Sequence, residues 1–282
     1  MISIYQIFNN QYYKKSNWIY LLIPLSIFFY FISTIKKYLY KNGFLKTIKI
    51  NVPVLIIGNI TLGGTGKTPL ALNLVSKLLK EGLSPAIITS GYGGSEKNIT
   101  EVFESTNVRA VGDEALLIKA KSKIPVFIGK DRVNAAKTLL KKYPKTTIII
   151  SDDGLQHYRL ERDFEIIVVD SQRQFGNGFI FPAGPLRERR SRLKEVDAVV
   201  YKGTSNNSNF YQMKYTTKHF KNLITSKKTI FKGIQNKKIV AITAIGNPES
   251  FFSTLEKYNL EFKKVIFNDH YLFNKNDFIK YA

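Results

Sequence analysis

The chain has 282 residues, 44% of them hydrophobic, enough for roughly two domains at about 150 residues each, which excludes disorder throughout and a disulfide-stapled miniprotein. Cysteine is absent, which removes disulfides, thiolate zinc sites and cysteine nucleophiles, and three histidines (His157, His219, His270) are too few for a histidine-rich cage, so any metal is a hard, oxygen-bound one. With 43 Lys+Arg against 21 Asp+Glu the net charge is +22, which selects an anionic partner: a phosphorylated ligand, an acidic lipid surface or nucleic acid.

Residues 16–35, SNWIYLLIPLSIFFYFISTI, carry no charge and lie between Lys14-Lys15 and Lys36-Lys37. As a helix that run is roughly 30 Å long, about one hydrocarbon core. A cleaved signal peptide fits poorly, because the run ends in STIKKYLYKNG without a small-residue cleavage pair. The pattern predicts an uncleaved membrane anchor over residues 1–45, with a buried helix of a soluble core as the bland alternative. Lys36, Lys37, Lys41, Lys46 and Lys49 outnumber Lys14 and Lys15, which puts the bulk of the chain on the cytoplasmic side. A helix lying in the interface stays open beside one that crosses.

Behind the anchor, unbroken apolar runs at 52–57, 85–89, 124–128, 146–150, 165–169, 197–201, 238–242 and 264–267 alternate with helical patterns at 69–80, 114–121 and 132–142. Such strands with helices between them predict an α/β fold whose mostly parallel sheet is covered on both faces. Ligands then bind off the carboxyl ends of the strands. The polar stretch 202–212, KGTSNNSNFYQ, reads as a linker, so the core is expected over 46–205 and a linker with a smaller α/β lobe over 206–282.

Directly after the first strand comes GNITLGGTGKTPL, residues 58–70, leading into a helix. Glycines let backbone N–H groups approach an anion, Lys67 reaches β/γ-phosphates, and Thr68 offers a hydroxyl to Mg²⁺. The nucleotide-binding candidates are Thr61, Gly63, Gly64, Thr65, Gly66, Lys67 and Thr68, although Thr61 stands where the strict G-x-x-x-x-G-K-[ST] pattern has glycine. The partner motif is the apolar strand that ends in Asp152-Asp153, where such folds place carboxylates for Mg²⁺ or its water shell; read alone, Asp-Asp-Gly is also a turn. Together they indicate nucleoside-triphosphate chemistry on a P-loop NTPase-type α/β/α sandwich. Asn274-Lys275-Asn276-Asp277 has the guanine-reading N-K-x-D form but sits several residues past its strand, and is read as a chance match. Leu62 occupies the position of the second lysine of deviant-loop transport ATPases, which disfavours that class.

Gly58 to Pro69, Gly91-Tyr92-Gly93, Val111-Gly112-Asp113-Glu114, DDGLQHYRL from Asp152, Gly176-Asn177-Gly178, PAGPLRE from Pro182, Gly246-Asn247-Pro248 and Asp269-His270 occur in an order that resembles the tetraacyldisaccharide 4′-kinases, the lipid A 4′-kinase family. The resemblance runs from the hydrophobic N-terminus to His270. It implies an inner-membrane enzyme, its active site on the cytoplasmic face, that moves the γ-phosphoryl of ATP, with Mg²⁺, onto the 4′-hydroxyl of tetraacyldisaccharide 1-phosphate to give lipid IVA. It also implies Asp113 and His270 as catalytic partners beside Lys67, with either of the pair writable as the base. Glu114, Asp152 and Asp153 join Thr68 as metal-shell candidates, and Tyr92, Gln156, His157 and Arg187 become substrate contacts, with a purely supporting role open for His157 and a headgroup contact for Arg187. Read alone, Asp113-Glu114 at a helix start is dipole-matched capping. The sequence departs from the family pattern at Ser90 and Gly94, where basic residues are usual, and at Tyr271, where a second histidine is usual. It also ends before a later Thr-Glu-Lys-Asp segment, so the second lobe is expected to be incomplete.

Two other functional classes compete. A membrane-tethered NTPase switch or motor would turn over nucleotide without a lipid acceptor. A nucleic-acid binder, suggested by the charge and 13% aromatic content, would show steep salt-dependent affinity, but no groove-reading motif is present and no nucleic-acid partner is expected. Oligomeric state is not legible from the chain.

Overall fold

The computed structural model describes residues 12–13, 17–203, 210–217, 219–234, 237–269 and 271–281. The chain forms two compact units, one spanning Phe8–Met213 and one containing Lys214–Ala282.

The larger unit opens with a 3-10 turn, Asn17–Leu22, and helix α1, Ile23–Lys41. Pro24 sits in the first turn of α1, where its missing N–H costs nothing. The apolar run therefore divides at Pro24, and the helix continues past Lys36 and Lys37 instead of stopping at them. Trp18–Lys41 is long and apolar enough to cross a membrane by length and composition.

Eight strands follow: β1 Val54–Gly58, β2 Pro85–Thr89, β3 Thr100–Glu101, β4 Val126–Ile128, β5 Ile148–Asp152, β6 Phe164–Asp170, β7 Ala198–Lys202 and β8 Tyr211–Met213. They make one sheet in the order β3-β4-β2-β5-β1-β6-β7-β8, parallel except for β3 on β4. Helices α2 Lys67–Lys80, α3 Val108–Val111, α4 Asp113–Ser122 and α5 Arg132–Lys142 cover it. Alternate residues of each strand serve opposite faces. Leu55, Ile57, Ile87 and Ile150 pack with Leu70, Val75 and Ile118 of α2 and α4, whereas Val54, Ile56, Ile88 and Ile149 pack with Val133 and Leu139 of α5. Burial on both faces is why these strands read as continuous apolar runs. The sandwich predicted from the sequence is the observed fold, and both ends of the polar stretch read as a linker belong to its sheet, Lys202 in β7 and Tyr211-Gln212 in β8.

In the smaller unit, β9 Phe220–Lys221 and β10 Lys228–Thr229 form an antiparallel hairpin. A parallel pair, β11 Ile239–Thr243 and β12 Phe262–Ile266, is joined through α6 Pro248–Glu256. The short helix α7, Lys275–Ile279, begins in the N-K-x-D string: Asn274 caps it and the Asp277 carboxylate accepts from the Asn274 N–H at 2.8 Å. That string is spent on a capping box.

Candidate active site

Strand β1 ends in Gly58, where a Cβ would fall 2.5 Å from the Leu155 Cβ, so only glycine lets the loop after β5 pack against it. The chain then turns through Gly63 (φ +95) and Gly66 (φ +98), both left-handed, and enters α2 at Lys67. A Cβ on Gly64 would meet nothing within 4 Å, so the backbone there faces open space. Asn59 ties the turn together: its Nδ2 donates to the Gly63 carbonyl at 3.2 Å, and Lys67 Nζ donates to its Oδ1 at 3.2 Å. Thr61, Thr65 and Thr68 are buried in the same loop, and Thr61 forms a bridge with Leu186.

The pairing of β1 with β5 brings the two strand-end carboxylates beneath this loop. Thr68 Oγ1 donates to Asp152 Oδ2 at 3.3 Å. Lys67 Nζ lies 3.4 Å from Asp153 Oδ1, and Arg187 Nη1 lies 3.4 Å from the same oxygen. The two carboxyls titrate apart. Burial pushes Asp152 up to about 6 against the pull of Lys67, with Glu114 and Asp153 adding to the rise. Asp153 is also penalised by burial, but Lys67 and Arg187 together hold it down to about 2. Arg132, 2% exposed, donates to the Asp152 carbonyl at 3.3 Å, and burial lowers it to about 10 against the charges of Asp153 and Asp152.

Arg187 is delivered by the segment that runs antiparallel beside the glycine loop. Leu62 N–H donates to the Pro185 carbonyl and Arg187 N–H to the Ile60 carbonyl, both at 2.7 Å. The segment is folded on Asn177, whose Nδ2 donates to the Ala183 carbonyl at 2.8 Å, and Gly184 leaves no room for a Cβ, which would lie 2.3 Å from Asn177 Oδ1. Next along, Glu188 accepts from Gln156 Nε2 at 2.7 Å and from the Tyr158 hydroxyl at 3.1 Å. Arg192 reaches Glu188 (Nε at 3.4 Å) and donates from Nη2 to Glu165 at 2.5 Å. Burial, followed by the charge of Arg132, holds His157 down to about 4, so its imidazole is neutral at pH 7. His157 lines a basic cleft of about 350 Å³ with Lys36, Lys130, Arg132 and Arg159. A second, largely apolar cavity of about 370 Å³ lies between α1 and the site, lined by Phe29, Ile32, Leu62, Phe181, Gln156 and Arg187 among others.

Asp113 opens α4, exposed, with Oδ1 accepting from the Glu114 N–H at 2.9 Å. A Cβ on Gly112 would fall 2.2 Å from the Tyr92 carbonyl oxygen, and one on Gly94 2.3 Å from that of Ala110. The Gly-Tyr-Gly and Val-Gly-Asp strings are thus the two sides of one backbone contact, which sets Tyr92, 66% exposed, beside the start of α4. His270 lies outside the described residues.

Of the residues expected from the sequence, Lys67, Thr68, Asp152, Asp153 and Arg187 form one polar cluster, and Glu114 acts on Asp152 through its charge. Gln156 and His157 line the adjoining loop, whereas Tyr92 and Asp113 belong to the Gly112 contact. Asn59, Arg132, Glu188 and Arg192 were not singled out by sequence reasoning. Glu188 closes the PAGPLRE string and Asn59 opens the glycine loop, so motif membership marked them; a buried arginine at a helix start reads as solvated. Among the described residues no group of three or more His, Asp or Glu is placed to hold a metal alone. The adjacent oxygens of Thr68 and Asp152 nevertheless fit Mg²⁺, which takes one or two protein oxygens and completes its shell with phosphate and water.

A profile described as tetraacyldisaccharide-1-P 4′-kinase (LpxK) matches residues 18–282. The tetraacyldisaccharide 4′-kinase of Methylobacillus flagellatus is 39% identical over 95% of this chain and 80% of its own. That of Haemophilus influenzae is 42% identical over 96% and 81%. The crystal structure of LpxK from Aquifex aeolicus in complex with ATP superposes with a TM-score of 0.76 at 26% identity, covering 94% of this chain and 85% of that one. A glycine-loop site built on this sheet, matched over nearly the whole chain, makes this protein a member of the tetraacyldisaccharide 4′-kinase family.

Proposed function

We propose that this chain transfers the γ-phosphoryl group of ATP to the 4′-hydroxyl of tetraacyldisaccharide 1-phosphate in lipid A biosynthesis, with the glycine loop as nucleotide cradle. The family match makes it a phosphotransferase. The observation that carries the site assignment is the single cluster of Lys67, Thr68, Asp152, Asp153 and Arg187 at the carboxyl edge of β1 and β5.

In this reading the bond between the γ-phosphorus and its bridging oxygen breaks while the sugar oxygen bonds to phosphorus. The hydroxyl proton passes to the Asp113/His270 pair, and ADP leaves. Little covalent work is asked of the protein in such a loose transition state, so positioning and charge dominate. Backbone N–H groups of Gly63 to Lys67 receive the phosphates, and Lys67 turns from Asp153 toward them. Thr68 and Asp152 would hold Mg²⁺, with Glu114 and Asp153 in its outer shell, and the ion would supply neutralising charge to the phosphates. Asp113 sits in the first turn of α4, where the helix dipole favours an acidic side chain. Arg187, freed from Asp153, and the neutral His157 with Gln156 and Tyr92 face the saccharide. The basic cleft suits the 1-phosphate, and the apolar cavity under α1 suits an acyl chain.

Helix α1 supports a membrane-bound enzyme whose helix lies in the cytoplasmic interface of the inner membrane. It is docked along its length: the Ala183 N–H donates to Ser26 Oγ at 2.8 Å, Phe29 meets Phe181 edge-on, Arg189 covers Tyr30 at 3.9 Å, and Lys37 pairs with Glu195 at 2.5 Å. Leu21, Leu25, Phe28 and Ile35 point outward and are exposed. A helix held on one side by its own domain, with Leu and Phe on the other, inserts one face only.

The test is detergent-solubilised protein with Mg²⁺-ATP and tetraacyldisaccharide 1-phosphate, followed by mass spectrometry. A product one phosphate heavier, nearly lost in Lys67→Ala and Asp113→Ala, is expected. ATP loss without a phosphorylated lipid would instead make the chain an NTPase.

A further inference from the structure

We infer that Arg173 is a second cationic ligand of the bound nucleoside triphosphate, reaching its terminal phosphates from the opposite lip of the cradle to Lys67. The inference rests on the reading of residues 58–68 as a nucleotide site.

Strand β6 lies parallel to β1, with Gly58 opposite Ile167, so the segments leaving the two strands emerge side by side at the carboxyl edge. The β6 segment is pinned at once. Asp170, 3% exposed, accepts the N–H groups of Gln172 at 3.0 Å and Arg173 at 3.2 Å on Oδ1, and holds Lys202 Nζ at 3.1 Å on Oδ2. From that fixed backbone the guanidinium stacks over the Tyr13 ring, 5.1 Å from its centroid. Its Nη1 lies 3.8 Å from where a Cβ of Gly63 would be, so it occupies the room that this glycine leaves beside the loop.

Charge separates Arg173 from Lys67 and Arg187. Lys67 and Arg187 each lie 3.4 Å from Asp153, whereas among the described residues no carboxylate lies within ion-pair distance of Arg173. A half-buried guanidinium without a carboxylate, set against a loop of N–H groups beside open space at Gly64, favours an incoming anion. The planar fork suits two phosphate oxygens at once, and stacking on Tyr13 limits the orientation lost on binding. Charge that builds on the leaving oxygens as the γ-phosphoryl departs is then met from two sides, by Lys67 and by Arg173 supplied in cis.

The test compares native full-length protein with Arg173→Ala, Arg173→Gln and Arg173→Lys, measuring ATP and ADP affinity by equilibrium dialysis and steady-state transfer to the lipid acceptor. The Ala and Gln variants are expected to lower kcat/KM for ATP by 100-fold or more and to weaken ATP binding more than ADP binding. KM for the lipid should stay within twofold of native, and Arg173→Lys should recover part of the loss. Because Gln keeps the size of the side chain, a loss in Ala alone would mark a packing role and overturn the inference, as would kcat/KM for ATP within twofold of native in both. Native protein that binds no ATP at all would overturn the nucleotide reading, and this inference with it.

Discussion

Asp152 titrates at about 6 and Asp153, one residue on, at about 2, and the difference is one of partners. Asp153 faces two cations; Asp152, 1% exposed, has Thr68 and the more distant pull of Lys67. Because Asp152 is raised from 3.8, the stability linked to it is present below that value and is lost as pH rises through about 6. His157 runs the other way: lowered from 6.5 to about 4, its contribution is present above 6.5 and is lost as pH falls through about 4. Between these limits the two groups oppose one another. Replacing Asp152 with Asn should raise stability at pH 8 by on the order of 2 kcal/mol, since a buried charge is removed, and should leave His157 unopposed. Urea denaturation of Asp152→Asn from pH 8 to pH 4 should then fall more steeply than that of the native chain, while phosphate transfer drops by at least ~100-fold. Equal slopes would mean that the two groups are not linked to folding in this way.

The elements were legible to the degree that their burial is two-sided or periodic. Helix α5 was read at the residues it occupies, and β2 likewise, because one has a clean helical face and the other is buried at every position. The edge strands β3 and β8 are too short and too polar to leave a signal, and the two-residue strands of the hairpin β9–β10 are too short as well. Within the site, lysine and carboxylates at strand ends were readable because the chemistry prescribes them. The contacts that aim them were not, since Glu188 and Arg192 act only through residues far from them in sequence. Gly94 shows the same limit: a Cβ there would fall 2.3 Å from the Ala110 carbonyl oxygen, a contact with a residue that the local pattern around Gly94 does not reveal. Gly94→Ala should cost ~1–3 kcal/mol in thermal or chemical unfolding, because the obstacle is backbone that cannot move aside. Helix α1 offers a sharper test of what its outward residues do. In Leu25→Glu/Phe28→Glu, two exposed apolar side chains become charged while the docked face keeps Ser26 and Phe29. The double variant should move from the membrane to the supernatant on cell fractionation and keep its melting temperature within a few degrees. Retention on the membrane would make positive charge, not the apolar face, the anchor.

At the scale of the whole molecule, +22 is spread unevenly, and from Ala198 to Pro248 the chain carries nine lysines and no Asp or Glu. This charge suits an anionic bilayer, but it says nothing about which unit holds the nucleotide. Ligand linkage does. A ligand that binds only the native state stabilises the unit that contains its site by RT ln(1 + [L]/Kd), about 2.7 kcal/mol at a hundredfold excess over Kd. All residues of the glycine loop and the Asp152/Asp153 pair lie in Phe8–Met213, and for a unit of that size each kcal/mol moves Tm by roughly 2–4 °C. Calorimetry in detergent with Mg²⁺-ATP should therefore raise the main transition by roughly 5–10 °C. The residues Lys214–Ala282 hold none of that loop, so a separate transition belonging to them should not move. Lys67→Ala should abolish the shift, because it removes the cation proposed to meet the phosphates, and should itself melt close to native: Asp153 keeps Arg187 as a partner. If ATP moved both transitions together, its stabilising effect would not be confined to the unit that carries the glycine loop.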